Sequence, residues 1–134
     1  MGLIVQKFGG TSVADTDRLR NVAKIITDTY KAGNQVVAVL SAQGDTTDDL
    51  IAMAGKVNPN ASNREMDMLL STGEQISVSL CAMAIEALGC PVISLTGWQA
   101  GMFTNTVSRN ARIKRVDTER IEAELNQRKI VIVT

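Results

Sequence analysis

Four short stretches of the chain, residues 3–8, 35–41, 91–96 and 130–134, are nearly continuous in β-branched or aliphatic side chains. Strands that are covered on both faces look like this, because neither face meets water. Helical patterns lie between them. Asp15 or Thr16 offers an N-cap to a helix reaching about residue 32, in which Leu19, Val22, Ala23, Ile26 and Tyr30 recur at intervals of three and four before Gly33 stops it. A second helix covers 46–57 and ends at Asn58-Pro59-Asn60. A third pattern covers 63–88, contains Gly73, and stops at Gly89-Cys90-Pro91. A fourth covers 118–128. Residues 111–116 alternate enough for a strand. Residues 97–110 have no clear period and read as a functional or covering loop.

The order strand, helix, strand, helices, strand, loop, helix, strand predicts an α/β fold with a largely parallel sheet and helices on both faces. No repeat, low-complexity tract or linker interrupts it. A chain of 134 residues is one domain by length. In such sheets ligand loops follow the carboxyl ends of strands, so a chain finishing on the strand 130–134 is expected to be cut short.

Composition narrows the chemistry. Apolar residues make up 45% of the chain and charged residues 21%, enough to bury a core. Fourteen Lys and Arg match fourteen Asp and Glu, so no broad basic surface for nucleic acid or anionic lipid is expected. With no histidine, Ser-His-Asp and Cys-His catalysis, His-ligated zinc and an imidazole pH switch are excluded. Cys81 and Cys90 lie in an apolar stretch without metal-ligand spacing, and read as buried, reduced packing residues. No apolar run approaches the roughly 20 residues of a membrane span. The opening MGLIVQKF lacks the plan of a secretory signal, so no membrane association and a cytoplasmic location are expected.

Two strand-to-helix turns carry candidate chemistry. In Lys7-Phe8-Gly9-Gly10-Thr11-Ser12, paired glycines let backbone amides approach a ligand, hydroxyls add donors, a helix N-terminus follows, and Lys7 brings a cation. That suits phosphate, although it is neither a Walker loop nor the dinucleotide fingerprint. A tight turn with a solvated lysine remains the alternative. The second turn, Ser41-Ala42-Gln43-Gly44-Asp45-Thr46-Thr47-Asp48, again puts small and hydroxyl residues after a strand. Capping by Asp45 or Thr46, with Asp48 and Asp49 in the first turn, explains part of it. Two such turns in consecutive βα units would face one crevice.

A third feature is Ser71-Thr72-Gly73-Glu74-Gln75. On a helix Glu74 shares a face with Leu70 and Val78, and a carboxylate there needs a cation or donors. The competing reading is a capping box, Ser71-x-x-Glu74, with Gly73 breaking the helix. Together the parts fit phosphoryl transfer to a carboxylate, which needs positioning and charge neutralisation more than a base. A carboxylate acceptor is already ionised at neutral pH, so the lack of histidine is no obstacle.

Lys7 to Val13 (KFGGTSV), Ser41 to Leu50 (SAQGDTTDDL), Ser71 to Ser77 (STGEQIS) and Thr96 to Gly101 (TGWQAG) resemble, in that order, the aspartate kinase (aspartokinase) family. The resemblance covers essentially the whole chain and looks like the shorter monofunctional type. It implies the amino-acid kinase (carbamate kinase-like) fold, an αβα sandwich. It also implies transfer of the γ-phosphate of ATP to the side chain of L-aspartate, giving 4-phospho-L-aspartate for lysine, threonine and methionine synthesis. Carried over by position, Lys7 would neutralise the migrating phosphoryl group, with Phe8, Gly9 and Gly10 at the phosphates and Ser41 in the active-site turn. Thr47 would bind aspartate by its hydroxyl and Glu74 its ammonium group. Mg²⁺ would come bound through the nucleotide phosphates, with no metal ligand set in the chain. Gln43 stands where a methionine is common in the family.

Family members continue beyond the strand 130–134 into a Gly-rich loop, further ATP and substrate contacts and ACT regulatory domains. Residues 1–134 are therefore expected to be the amino-terminal part of the kinase domain, without an ACT domain and inactive alone. Self-association is expected from an incomplete sheet. The alternatives are another enzyme of the superfamily, acting on glutamate, N-acetylglutamate or a nucleotide, and a non-catalytic aspartate-binding or dimerising fragment.

Overall fold

Parallel pairing of the β-branched strands organises the molecule. The computed structural model describes residues 2–134. The chain runs β1 (Leu3–Phe8), a 3-10 turn (Gly10–Val13), α1 (Thr16–Lys31), β2 (Gln35–Leu40), α2 (Thr46–Val57), α3 (Asn63–Ala87), β3 (Val92–Leu95), β4 (Met102–Thr104), β5 (Ile113–Val116), α4 (Glu119–Asn126) and β6 (Ile130–Val133). The main sheet has the order β1-β2-β6-β3, all parallel. Crossovers between parallel strands are right-handed, so α1 and α3 share one face, while the return from β3 to β6 carries α4 across the other. Every residue of β6, the strand inserted between β2 and β3, is buried.

Each face has its own core. Leu19, Val22, Ala23 and Ile26 of α1 meet Val78, Cys81, Ala82 and Ile85 of α3 over Val36, Ala38, Leu40, Ile130 and Ile132. On the opposite face Leu125 of α4 and Ala100 lie over Val37, Leu95, Val131 and Val133. Cys81 and Cys90 are both free and buried, and burial pushes the Cys81 thiol up to about 12, so it stays protonated. At the edge, Leu3 and Val5 of β1 stay exposed.

The helix ends follow local chemistry. The Asp15 side chain caps α1 by accepting from the Arg18 N–H at 2.8 Å. α3 runs unbroken through Gly73, as the helical pattern over 63–88 predicts, and its cap is Ser62, whose hydroxyl accepts from the Glu65 N–H at 3.3 Å. Ser71 is therefore interior, donating to the Met68 carbonyl at 2.8 Å, and the Ser71-x-x-Glu74 capping box is ruled out. Being 25 residues long, α3 is long and apolar enough to cross a membrane by length and composition. A search for an unbroken apolar run passes over it, because Glu74 and its polar neighbours interrupt the stretch. In the fold it is the core helix against α1 and the sheet.

Residues 97–110, expected as loop, contain a further strand. β4 pairs antiparallel with β5 in a hairpin apart from the main sheet. Gly101 starts it with φ +92°, where a Cβ would lie 1.9 Å from the Asp117 carbonyl oxygen, so only glycine fits. Trp98 and Phe103 meet edge-on at 5.2 Å between ring centres, and Arg115 lies 4.4 Å over the Phe103 ring.

Candidate active site

The two turns leave the carboxyl ends of adjacent strands and are fastened to each other. Ser41 N–H donates to the Phe8 carbonyl at 3.2 Å, and Gly44 N–H donates to the Gly10 carbonyl at 3.0 Å. The Gln43 side chain donates across to the Val13 carbonyl at 2.9 Å. A Cβ on Gly10 would stand 2.8 Å from the Ala42 carbonyl oxygen, so contact this close requires glycine. Lys7, Phe8, Gly9, Gly10 and Ser41 thus lie together at one end of the sheet. The Phe8 side chain packs against the core and its backbone pairs with β2, so Phe8 anchors the turn to the sheet.

The helix N-terminus expected after the first turn is not that of α1, which Asp15 already caps. The 3-10 turn takes its place. The N–H groups of Gly9, Gly10 and Thr11 find no acceptor among the described residues, so backbone donors gather beside Lys7, an arrangement suited to an anion. Lys7 is exposed and forms no ion pair among the described residues. The second turn holds a similar reserve. Asp45 sits at the N-cap position of α2 but makes no side-chain capping bond, which corrects the expectation that capping uses this cluster.

Glu74 joins the two turns through its neighbour. A Cβ on Gly73 would lie 3.1 Å from the Ala42 Cβ and 3.4 Å from the Thr46 Cγ2, so α3 closes onto the second turn at the step before Glu74. Thr47 follows Thr46 in the first turn of α2, and both Thr47 and Glu74 are half-buried. Among the described residues Glu74 makes no hydrogen bond or ion pair. A carboxylate in such a position is available to a ligand cation.

Two residues of the site were not anticipated as such. The Arg18 guanidinium donates to the Thr11 carbonyl at 3.0 Å and lies 3.6 Å from the Asp15 carboxylate, bracing the first turn from α1. Gln43, noted only as a departure from the family's methionine, ties the second turn to the first. A hollow of about 590 Å³ opens beside the first turn, with Phe8, Thr11, Ser12 and Arg18 in its wall. A larger one, about 720 Å³, lies at the opposite end of the sheet beside Leu3, Tyr30 and Arg128, away from both turns. The fourth motif serves the fold: Gly97 N–H donates to the Thr134 hydroxyl at 3.2 Å, and Ala100 fills the second core.

The sequence pattern of the Amino acid kinase family matches residues 2–134. The chain belongs to the amino acid kinase family. Among curated members it is 53% identical over 133 residues to the aspartokinase of Bacillus sp. (strain MGA3), covering 99% of this chain and 32% of that protein. The crystal structure of aspartate kinase from Synechocystis superposes with a TM-score of 0.86 at 45% identity, covering 98% of this chain and 21% of that one. Aspartokinase III of E. coli, solved with aspartate and ADP, superposes at 0.80 with 20% identity, over 96% of this chain and 39% of its own, and bears on the fold alone. The chain thus spans about a third of the length of the curated aspartokinases it matches.

Proposed function

We propose that these residues form the phosphate and acceptor sides of an aspartate kinase, within the amino-terminal part of its kinase domain. The observation that carries the reading is the pair of turns hydrogen-bonded to each other, with Lys7 leading into the first and Gly73, the neighbour of Glu74, packed on the second, while among the described residues neither Lys7 nor Glu74 forms an ion pair. Kinship with aspartokinases at 53% identity supports aspartate as the acceptor. The aspartate and ADP held by the E. coli relative are the kind of ligand pair this crevice is proposed to take.

In the proposed reaction the side-chain carboxylate of aspartate attacks the γ-phosphorus of ATP. The bond from that phosphorus to the bridging oxygen breaks, and ADP leaves. No proton moves, because the attacking carboxylate is ionised at neutral pH. Lys7 balances the charge on the migrating phosphoryl group, and the amides of Gly9 and Gly10 bind phosphate oxygens. Phe8 and Ser41 hold the two turns in register through the bond from the Ser41 N–H to the Phe8 carbonyl. Thr47 donates its hydroxyl to the amino acid and Glu74 takes its ammonium group. Mg²⁺, bound through the nucleotide phosphates, would supply further positive charge beside Lys7. A cytoplasmic, homo-oligomeric enzyme of lysine, threonine and methionine synthesis completes the proposal, with the open edge at Leu3 and Val5 favouring association.

The test is aspartyl-hydroxamate formation from ATP, Mg²⁺, aspartate and hydroxylamine, which traps the acyl phosphate. This sequence is exchanged for its matching segment in the Bacillus sp. (strain MGA3) aspartokinase, and the 134 residues are assayed beside it. Hydroxamate from the exchanged kinase and none from the short chain is the expected result. ADP release with glutamate, N-acetylglutamate or a nucleotide, and none with aspartate, would replace the reading with another kinase of the family. Aspartate binding without turnover in either protein would leave a binding fragment.

A further inference from the structure

Glycine is a poor choice for the middle of a helix, where alanine is the better helix former. α3 nevertheless carries Gly73 at its eleventh position and stays unbroken, and Gly73 is buried. The reason lies across the crevice. Its absent side chain would press on the Ala42 Cβ at 3.1 Å, the Thr46 Cγ2 at 3.4 Å and the Leu50 side chain at 3.8 Å. Ala42 is itself 6% exposed, and its carbonyl oxygen stands 2.8 Å from where a Cβ of Gly10 would be. The second turn is thus clasped between a glycine of the first turn and a glycine of α3, and it has little room to give way.

We propose that Gly73 is a positioning residue: its missing side chain sets the separation between α3 and the second turn, and so the span between Glu74 and Thr47 around the bound amino acid. The proposal rests on the reading of Thr47 and Glu74 as acceptor-binding groups, and it adds a specific steric partner, Ala42. Any side chain at position 73 forces α3 outward by a few tenths of an ångström unless position 42 gives up its own methyl group. The phosphate side is less affected, because the bonds from Ser41 to Phe8 and from Gly44 to Gly10 do not involve α3.

Two measurements test it. In the exchanged full-length kinase, Gly73→Ala is expected to raise the KM for aspartate about tenfold, since misplacing a binding group by around an ångström can cost about a hundredfold. The KM for ATP and kcat should stay within about twofold, and adding Ala42→Gly should bring the aspartate KM back to within about threefold of the parent. In the 134-residue chain, Gly73→Ala should lower the melting temperature when residue 42 is alanine and raise it when residue 42 is glycine. The sign reversal separates a clash from helix propensity, which favours alanine in both backgrounds. A Gly73→Ala variant that melts higher in the parent background with an unchanged aspartate KM would overturn the proposal. So would equal rises in both KM values, or no rescue by Ala42→Gly. If the exchanged kinase ignores aspartate, the functional reading fails and this role falls with it, while the melting series still reports whether positions 42 and 73 touch.

Discussion

Two glutamates on helices, Glu124 and Glu74, sit in opposite electrostatic circumstances. Glu124 is 8% exposed and accepts from Arg120 at 3.1 Å and Lys129 at 2.8 Å. The bond from Lys129, helped by Arg120, holds its carboxyl below the usual range despite the opposing effect of burial. It fastens the end of α4 to the start of β6, beside the turn where the Tyr30 hydroxyl donates to the Arg128 carbonyl at 2.6 Å. Glu74 is less buried, one step from a tight contact between helix and turn, and has no partner among the described residues. A charge that serves the fold finds its counter-charge within the chain. A charge left without one at the carboxyl end of a parallel sheet is available to something that is not part of the chain.

The widest departure from this contrast is expected at Lys7, which also forms no ion pair among the described residues. Lys7→Ala in the exchanged kinase should lower kcat by about 10²- to 10³-fold, in line with the loss of one charge-stabilising group, with aspartate affinity nearly unchanged. Glu74→Gln should show the complementary pattern. Its KM for aspartate should rise by about 10- to 100-fold, as for a lost charged hydrogen bond, with the melting temperature unaltered. Hydroxamate kinetics at varied aspartate and ATP give both numbers. Exchanged phenotypes for the two variants would break the assignment of sides.

Glu124 should respond the other way, in stability rather than in binding. Glu124→Gln is expected to remove about 2 kcal/mol at neutral pH, the scale of charge-assisted hydrogen bonds. Because the folded state holds this carboxyl below its unfolded value, the contribution is fully present above the unfolded pKa, near 4.3. It is lost as pH falls through the lower folded value. Urea denaturation of parent and variant should therefore show a gap that is constant at neutral pH and closes in acid. A gap that widened in acid would mean that the carboxyl is raised and its cations are not its partners.

The elements that were legible in the sequence are those whose signal is local. β1 and α2 match their expected bounds to the residue, because a largely apolar strand stopped by Gly9-Gly10 and a helix stopped at Asn58-Pro59 leave little choice. The first turn was legible for the same reason, as Lys7, Gly9 and Gly10 lie within four positions. What escaped depends on distant partners. Gly73 admits two local readings, a helix interior or a break, and only Ala42 and Thr46, far away in sequence, explain why the helix keeps it. β4 has three residues, too few for any period to register, and its identity comes from pairing with β5. The clamp at Glu124 needs the α4-to-β6 turn to bring Lys129 back to it. Asp45 looks like a cap in sequence, yet its backbone, at φ −89° and ψ 9°, lacks the extended shape that aims a cap's oxygen at the helix amides.

The smallest expected effect concerns the two serines that compete for the start of α3. Ser62 and Ser71 each stand three residues before a glutamate, Glu65 and Glu74, so the same sequence signature occurs twice within one helix. Only Ser62 has extended backbone, φ −63° and ψ 151°, and a hydroxyl accepting from the N–H three residues on. Ser62→Ala should therefore destabilise the chain by about 1 kcal/mol, the usual loss for a helix cap. Ser71→Ala removes only a bond back to the Met68 carbonyl from an exposed position and should change stability by less than about 0.5 kcal/mol. Urea melts of the two variants decide between them. The reverse order would restore the capping box at Ser71 and place the start of the helix beside Glu74. That carboxylate would then be occupied with its own backbone, and the contrast with Glu124 would collapse.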